Sequence, residues 1–514
     1  MKKRLLSISL VLILVLSLVS CASKPANNAS LKTEDDNYRN FYEIFVYSFC
    51  DSDGDGIGDI KGVTSKLDYI RDLGYDAIWL MPIMPSTTYH KYDVIDYYDI
   101  DPQYGTMDDF EELIKECDKR NIKVLIELML NHSSSENEWF KEAVKAINNG
   151  SESKYTEYYH FVDTMPSTGK FSNKGLNKGF YECQFVEFMP DLNFDSELVR
   201  EEFKNIAKFW IDKGVDGFRL DAIKHVYEGD NEKNIELCKW FNEYCHSLNE
   251  NMYIVGEVWD TESTYLPYYA GDFTSLFNFK VGTGEGMVAM YIRNGQGGKL
   301  AEKIQLNQEK IRAVNQNGID AIFLTNHDNN RFADVVESDP DMLRLAASTY
   351  LMMPGTIFTY YGEEIGMTGS GADENKRGPM LWSNEDKTGI CDGPDNISVA
   401  TAPADKQGVA EQNADSTSLL NYYKALMTIR NAHPEIAKGT VTAIDTGDSN
   451  ICAYKCDYNG SVVTIYHNFS AEEKQVNIGD AEAKLLESLT HSSDLSVTLE
   501  NGVLTLPAYG LAII

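Results

Sequence analysis

The chain has 514 residues, too many for one ordinary domain but enough for a barrel of about 250 residues or more together with a smaller domain. Its composition, 43% hydrophobic and 24% charged, lies near the globular average and argues against a disordered chain or a bundle of membrane helices. The formal net charge of −33 disfavours nucleic acid and other polyanions as partners, whereas a neutral polymer is not repelled.

The N-terminus has the pattern of an export signal. Basic residues 2–4 precede the apolar stretch Leu5 to Ser20, which is shorter than the roughly 20 residues of a membrane-spanning helix. The four residues that end at Cys21 resemble the lipobox of bacterial lipoproteins, which implies cleavage before Cys21 and attachment of diacylglycerol to its sulfur. We therefore predict a signal peptide over 1–20, a flexible tether over 21–37, and an exported protein anchored by lipid to the cell membrane or cell surface. The alternative is an ordinary signal peptide with a chance cysteine.

Short apolar runs alternate with amphipathic stretches from about Asn37 onward, which is typical of repeated βα units around a parallel sheet. Helical patterns such as Met107 to Arg120 and Leu198 to Lys213 separate the runs. Eight runs favour a closed (β/α)8 TIM barrel over an open sheet, and we assign this barrel to residues 38–132 and 195–434. The runs are Phe41 to Phe49, Ala77 to Pro82, Val124 to Leu130, Gly217 to Ala222, Tyr253 to Val258, Ser275 to Val281, Ala321 to Thr325 and Thr356 to Tyr361.

Two regions depart from this alternation. Residues 133–194 are rich in Gly, Asn, Tyr and Ser and are too long for an ordinary loop after the third strand, so we predict a small inserted domain. Residues 435–514 follow a helical stretch and contain the hairpin turn signals Asn459-Gly460 and Asn501-Gly502, which predicts a C-terminal antiparallel β-sandwich. Its predicted strands are Ile451 to Cys456, Ser461 to Asn468, Lys474 to Ile478, Ser496 to Glu500 and Gly502 to Leu506.

Polar side chains stand at the ends of several predicted barrel strands. Because the carboxyl ends of barrel strands meet at one face, these side chains should share one pocket. Three carboxylates from three strands suit glycoside hydrolysis, in which one carboxylate attacks the anomeric carbon and a protonated one donates to the leaving oxygen. Close carboxylates also raise each other's proton affinity. The side chains are Asn131 and His132 after the third run, Arg219 and Asp221 in the fourth, Glu257 in the fifth, and His327 and Asp328 after the seventh.

These segments resemble four motifs of the α-amylase family of glycoside hydrolases, in order and at fitting spacing, and the likeness extends over nearly the whole predicted mature chain. The resemblance implies that Asp221 is the nucleophile, kept ionised by Arg219, and that Glu257 is the general acid/base. It also implies that Asp328 stabilises a distorted, oxocarbenium-like transition state. The motifs are Leu130-Asn131-His132, Gly217 to His225, Gly256 to Trp259 and Phe323 to Asp328.

The resemblance also implies a set of substrate-binding residues. His90-Lys91-Tyr92-Asp93 is similar to the segment in which a tyrosine stacks on the cleaved sugar ring, and Lys224-His225 is similar to a pair that contacts leaving-side sugars in α-amylases. Arg377 is assigned to a glycone sugar, with a surface ion pair as the alternative. The full set is Tyr92, His90, Asp93, His132, Arg219, Lys224, His225, His327 and Arg377.

Three residues depart from the family pattern. Glu127 stands where Asp is usual, Lys91 where Gly is common, and Tyr47 where Arg is frequent. None of them removes a catalytic group. Glu127 affects the contact through which this position usually supports Arg219. Lys91 is expected to reshape the rim of the pocket.

Residues 51–59 place oxygen-bearing side chains at alternate positions with glycines between them, which suits calcium. An EF-hand is disfavoured because Gly62, rather than a bidentate Glu, stands at the twelfth position. The resemblance to oligo-1,6-glucosidase and related amylases implies one structural calcium, with a backbone carbonyl from Ile57. An acidic turn without metal is the alternative. The implied ligands are Asp51, Asp53, Asp55, Ile57 and Asp59.

We expect a retaining, endo-acting α-amylase that cleaves internal α-1,4 bonds of starch or maltodextrin. It should act as a monomer that contacts the membrane through Cys21 and binds no nucleic acid. Ala222 and Lys224-His225 favour the α-1,4 linkage by resemblance, and a fifth motif, Met189 to Asn193, is intermediate between oligo-1,6-glucosidase and neopullulanase types. The alternatives are an oligo-1,6-glucosidase, α-glucosidase or glucan transferase of the same family, and a non-catalytic glucan-binding lipoprotein.

Overall fold

The computed structural model describes residues 37–514. The predicted signal peptide, Cys21 and nearly all of the predicted tether lie outside the described residues. Over residues 37–514, no helix combines the length and the apolar character needed to cross a membrane.

Eight parallel strands close into a barrel in which each strand pairs with its neighbours along the chain and the first pairs with the last. This topology confirms the predicted (β/α)8 barrel, and each apolar run overlaps one strand. The runs are continuous rather than alternating because both faces of such strands are buried; Phe41, Trp79, Phe277 and Phe358 belong to the cluster that fills the interior. The strands are Asn40–Ile44, Ala77–Leu80, Lys123–Leu128, Gly217–Leu220, Tyr253–Gly256, Ser275–Phe277, Ile319–Phe323 and Thr356–Tyr360.

Helices cover the outside of the barrel, and Met107–Arg120 illustrates why. The Thr106 side chain caps the N-terminus by accepting from the backbone N–H of Asp109, and Asn121 ends the helix in a left-handed conformation. One face is buried, which is worth about 1.5–3 kcal/mol for each large apolar side chain. The α-helices associated with the barrel are Val46–Phe49, Ile60–Ser65, Leu67–Leu73, Met107–Arg120, Glu197–Asp212, Asn231–Leu248, Glu262–Tyr265, Met287–Arg293, Gly297–Val314, Phe332–Val335, Pro340–Leu351, Asp373–Lys376, Val409–Ala414, Leu419–Ala432 and Pro434–Lys438.

The segment after the third barrel strand contains its own small antiparallel sheet and the helix Glu138–Asn149. It returns beside the strand that it left: His132 and Asp191 form an isolated bridge, and the backbone N–H of Leu192 donates to the Asn131 carbonyl at 2.8 Å. The segment therefore lies next to the carboxyl end of the barrel. The sheet consists of Phe161–Val162, Phe180–Glu182 and Phe171–Ser172.

The C-terminal region is a pair of antiparallel sheets, as predicted. Their shared core includes Ile451, Tyr466 and Leu504. The two Asn-Gly turns adopt left-handed backbone angles at both residues, as tight hairpins require. The five-stranded sheet has the order Thr440–Ala443, Ile451–Tyr458, Ser461–Asn468, Leu511–Ile513 and Glu487–Leu489; the three-stranded sheet has the order Lys474–Asn477, Val503–Leu506 and Thr498–Glu500.

Candidate active site

A cavity of about 460 Å³ opens at the carboxyl end of the barrel, and the polar residues at the strand ends converge on it. The backbone explains the convergence: the N–H of Asp221 donates to the Leu128 carbonyl, and the N–H of Glu257 donates to the Leu220 carbonyl at 3.0 Å. Each carboxylate is thus fixed by the end of the neighbouring strand. The lining residues are His90, Tyr92, His132, Phe185, Met189, Asp221, Ala222, Lys224, His225, Glu257, Trp259, Asp328, Asp373 and Arg377.

Arg219 is the buried cation at the floor of this cavity. One terminal nitrogen lies 2.6 Å from Asp221 Oδ1 and also contacts Glu127, while the other contacts Glu257. The support contact to Arg219 is therefore present although Glu127 replaces the usual Asp, and Trp79 Nε1 donates to the second Glu127 oxygen at 2.8 Å. Burial opposes the charge of Arg219, but the carboxylates of Glu257 and Asp221 outweigh it and raise the pKa of Arg219.

The two carboxyl groups beside Arg219 suit different roles. Burial raises the pKa of Glu257 to about 7 against the pull of Arg219, and the charges of Asp221 and Asp328 add to the rise. Glu257 can therefore hold a proton near neutral pH. Asp221 accepts from the Arg219 guanidinium at 2.6 Å and lines the cavity, which is the position that a nucleophile needs.

Asp328 lines the same cavity and lies between Arg377 and His327. Its carboxylate accepts from an Arg377 terminal nitrogen at 2.9 Å, and its other oxygen lies 3.1 Å from His327 Nε2. Burial alone would raise the pKa of Asp328. The charge and hydrogen bond of His327, together with the charge of Arg377, outweigh burial and hold this pKa well below its usual range. Asp328 is thus an ionised acceptor.

The structure divides the predicted substrate-binding residues into two groups. His90, Tyr92, His132, Lys224, His225 and Arg377 line the cavity. Asp93, Arg219 and His327 lie behind it. The buried Asp93 accepts from Ser86, Thr87 and Thr88 hydroxyls, so it fixes the loop that carries Tyr92 rather than facing the cavity.

Lys91 does not reshape the rim of the cavity, contrary to expectation. Its side chain is buried, and its ammonium lies 2.9 Å from the Asp101 carboxylate and over the ring of Tyr104. Lys91 adopts a left-handed φ of 64°, which explains why glycine suits this position. The buried ion pair anchors the segment from beneath.

Several residues at the site were not predicted from the sequence. Phe185, in the inserted segment, forms T-shaped ring pairs with His132 and His225. The exposed ring of Trp259 stacks on Phe279 with centroids 4.7 Å apart, which leaves a flat apolar face at the cavity. Glu43, in the first strand, contacts His327. A charged residue within the run Phe41 to Phe49 was the signal that could have identified it.

The acidic loop brings three of its predicted calcium ligands together. Oxygen atoms of Asp51, Asp53 and Asp59 all lie within 4.8 Å of one another. Hard carboxylate oxygens at this spacing fit calcium, whose charge would offset their mutual repulsion. Asp55 is not in this group; its carboxylate accepts from the backbone N–H of Ile57 at 2.7 Å.

Comparison with known proteins supports the likeness seen in the motifs. Residues 43–439 match the family model of the α-amylase catalytic domain, and residues 451–513 match that of the C-terminal domain of α-amylase SusG. The chain is 42% identical over 447 residues to α-amylase 3 of Dictyoglomus thermophilum, covering 86% of this chain and 87% of that protein. It is 30% identical to an oligo-1,6-glucosidase of Bacillus cereus, covering 90% and 95%. The solved structure of Eubacterium rectale Amy13B has a TM-score of 0.89 and 40% identity, covering 93% of this chain and 96% of that one.

Proposed function

Because the chain belongs to the α-amylase family of glycoside hydrolases, we propose that it is a retaining, endo-acting α-amylase that cleaves α-1,4 bonds of starch or maltodextrin. The observation that carries this proposal is the contact of one buried guanidinium, Arg219, with both Asp221 and Glu257. A shared cation supports the short carboxyl separation of about 5–5.5 Å found in retaining enzymes, rather than the wider gap that admits a water between them.

In the first step, the Asp221 carboxylate attacks the anomeric carbon while Glu257 gives its proton to the leaving glycosidic oxygen. The product of this step is a covalent glycosyl ester on Asp221 and a free leaving-side chain end. The raised pKa of Glu257 supports its role as the acid, and the contact with Arg219 supports Asp221 as the nucleophile.

In the second step, ionised Glu257 takes a proton from water, and the water oxygen attacks the anomeric carbon and displaces the Asp221 carboxylate. Two inversions return the α configuration. Asp328 stays ionised beside Arg377 and accepts hydrogen bonds from hydroxyls of the distorted sugar, which stabilises positive charge on the ring.

Two features of the cavity support the choice of a long α-1,4 glucan. Lys224 and His225, which the resemblance assigns to leaving-side sugars, line the cavity, and the exposed side chains of Phe185 and Trp259 add apolar surface to it. The relative with 42% identity bears the name α-amylase. The second candidate function is hydrolysis of short α-1,6-linked oligosaccharides, because a relative with 30% identity bears the name oligo-1,6-glucosidase.

The test is a product profile over time on amylose, pullulan, isomaltose and maltotriose. An endo-acting α-amylase shortens amylose to mixed oligosaccharides early, before glucose accumulates, and leaves isomaltose intact. Glucose as the first product of amylose, or isomaltose cleaved faster than maltotriose, would assign the chain to the second candidate.

We further propose that Asp51, Asp53 and Asp59 hold a structural calcium, with Ile57 contributing its carbonyl and Asp55 joining by rotation of an exposed side chain. When bound, calcium would neutralise the carboxylates and stabilise the loop after the first strand. We also propose that the protein is a monomer, lipid-anchored through Cys21 at the cell membrane or cell surface, since the sequence around Cys21 has the lipobox pattern.

A further inference from the structure

Glu43 is a buried acidic residue that the mechanism above does not use. It lies near the end of the first barrel strand, Asn40–Ile44, and its side chain is 1% exposed. Alternate residues of a strand face opposite sides, and Phe41 belongs to the interior cluster, so Glu43 also faces into the barrel. An acidic side chain inside a barrel is costly unless a cation or hydrogen-bond donors meet it.

The partner of Glu43 is His327. Glu43 Oε1 accepts from His327 Nδ1 at 2.5 Å, and the His327 side chain is likewise 1% exposed. The other ring nitrogen, Nε2, lies 3.1 Å from Asp328 Oδ2 and 2.7 Å from the Tyr92 hydroxyl. His327 therefore stands between two carboxylates, one on each ring nitrogen.

This arrangement favours the doubly protonated imidazole by charge. A neutral histidine could donate from Nδ1 to Glu43 and accept at Nε2 from the Tyr92 hydroxyl, but its Nε2 lone pair would then lie 3.1 Å from the Asp328 carboxylate. The imidazolium instead places a positive charge between the two carboxylates. Burial lowers the pKa of His327, but the charges of Asp328 and Glu43 outweigh it and raise that pKa to about 9, which agrees with the geometry.

The groups that face His327 come from several elements. Glu43 comes from the first strand, Tyr92 from the loop after the second, and Asp328 from the loop that carries His327 itself. Farther out, Glu257 interacts with His327 by charge, and Arg377 donates to its backbone carbonyl. Glu43 is the one of the two contacting carboxylates that does not line the cavity.

We propose that Glu43 is a positioning residue that keeps His327 doubly protonated, so that His327 holds Asp328 ionised and aimed at the sugar ring. Glu43 acts through His327 and touches neither substrate nor reacting atoms. The inference rests on the proposed hydrolysis for its consequence in catalysis, but the protonation of His327 can be measured without substrate.

The test compares Glu43→Gln with the parent and with Glu364→Gln. Glutamine keeps an oxygen that accepts from Nδ1 and removes only the charge. Glu364 is the matched control because it is equally buried, accepts from the Tyr42 and Tyr69 hydroxyls, and does not line the cavity. Melting temperatures of all three proteins establish that the variants are folded.

In kinetics on soluble starch, Glu43→Gln should lower kcat/KM about tenfold or more at pH 8, with a smaller loss at pH 5 where His327 stays protonated. The ratio of parental to variant kcat should therefore rise between pH 5 and pH 8, a change that ionisation of Glu257 in both proteins does not produce, and the loss should fall on kcat more than on KM. Glu364→Gln should keep the parental pH profile.

The second readout is the NMR titration of ¹⁵N-labelled histidine, with the His327 signals assigned by their loss in His327→Gln. In the parent, both His327 ring nitrogens should carry protons at pH 7.5, and Glu43→Gln should lose one of them at a lower pH. A His327 titration unchanged by Glu43→Gln, or a kinetic change matched by Glu364→Gln, would overturn the inference. A parent that fails to cleave starch would instead refute the proposed function. The NMR titration of His327 would then decide alone whether Glu43 controls its protonation.

Discussion

Replacing Glu257 by glutamine tests the assignment of the general acid. With a pKa of about 7, about half of Glu257 carries a proton at pH 7, whereas an ordinary glutamate would be protonated to roughly 0.2%. Burial thus makes the acid form about 250-fold more abundant. Because the amide cannot donate an acidic proton, Glu257→Gln should lower kcat on starch by about 10²- to 10⁴-fold.

The assay pairs starch with a maltooligosaccharide that carries an activated phenolate leaving group. That leaving group needs no proton to depart, so Glu257→Gln should lose much less of its rate of glycosyl-enzyme formation on this substrate, measured as the pre-steady-state burst of phenolate. The parent should lose activity on starch above about pH 7 as Glu257 ionises, and the variant should lack this alkaline limb on the activated substrate. Equal losses on both substrates would refute the reasoning.

Three further outcomes are expected. Asp221→Asn should keep the parental melting temperature and lose starch hydrolysis by several orders of magnitude; a variant with a tenth of the parental kcat would contradict its role as nucleophile. Lys91→Met leaves Asp101 buried without its cation and should lower the free energy of unfolding in denaturant by about 3–5 kcal/mol. Lys115→Met, at an exposed ion pair, should lower it much less. Similar costs for the two would show that the Lys91 ion pair contributes little. Removal of calcium with EGTA should lower the melting temperature of the parent but hardly that of Asp51→Asn; a parent insensitive to EGTA would argue against the metal.

The barrel could be predicted from the sequence because its strands are buried on both faces and appear as uninterrupted apolar runs. The clustering of Asp221, Glu257 and Asp328 could also be predicted, since strand ends in a parallel barrel meet at one face. The short strands Thr440–Ala443, Glu487–Leu489 and Leu511–Ile513 were not predicted, because three or four residues give too little alternation to separate a strand from a loop.

Contacts between distant parts of the chain could not be predicted from local patterns. Glu43 and His327 are separated by 284 positions, and the sequence around either residue does not indicate that the two are in contact. The Lys91 side chain points into the protein because its backbone is left-handed and because it forms an ion pair with Asp101. A sequence motif shows neither of these features. The same holds for Asp93, which the resemblance assigned to substrate binding but whose oxygens accept from four hydroxyls, those of Ser86, Thr87, Thr88 and Ser134.

The most direct measurement of the central claim is the anomeric configuration of the first product. Starch digested by the protein in an NMR tube should give the α signal of the new reducing ends first, with the β signal growing only as the sugars mutarotate. Two displacements at the anomeric carbon, by Asp221 and then by water, require this order. A β signal that appears first would contradict the account.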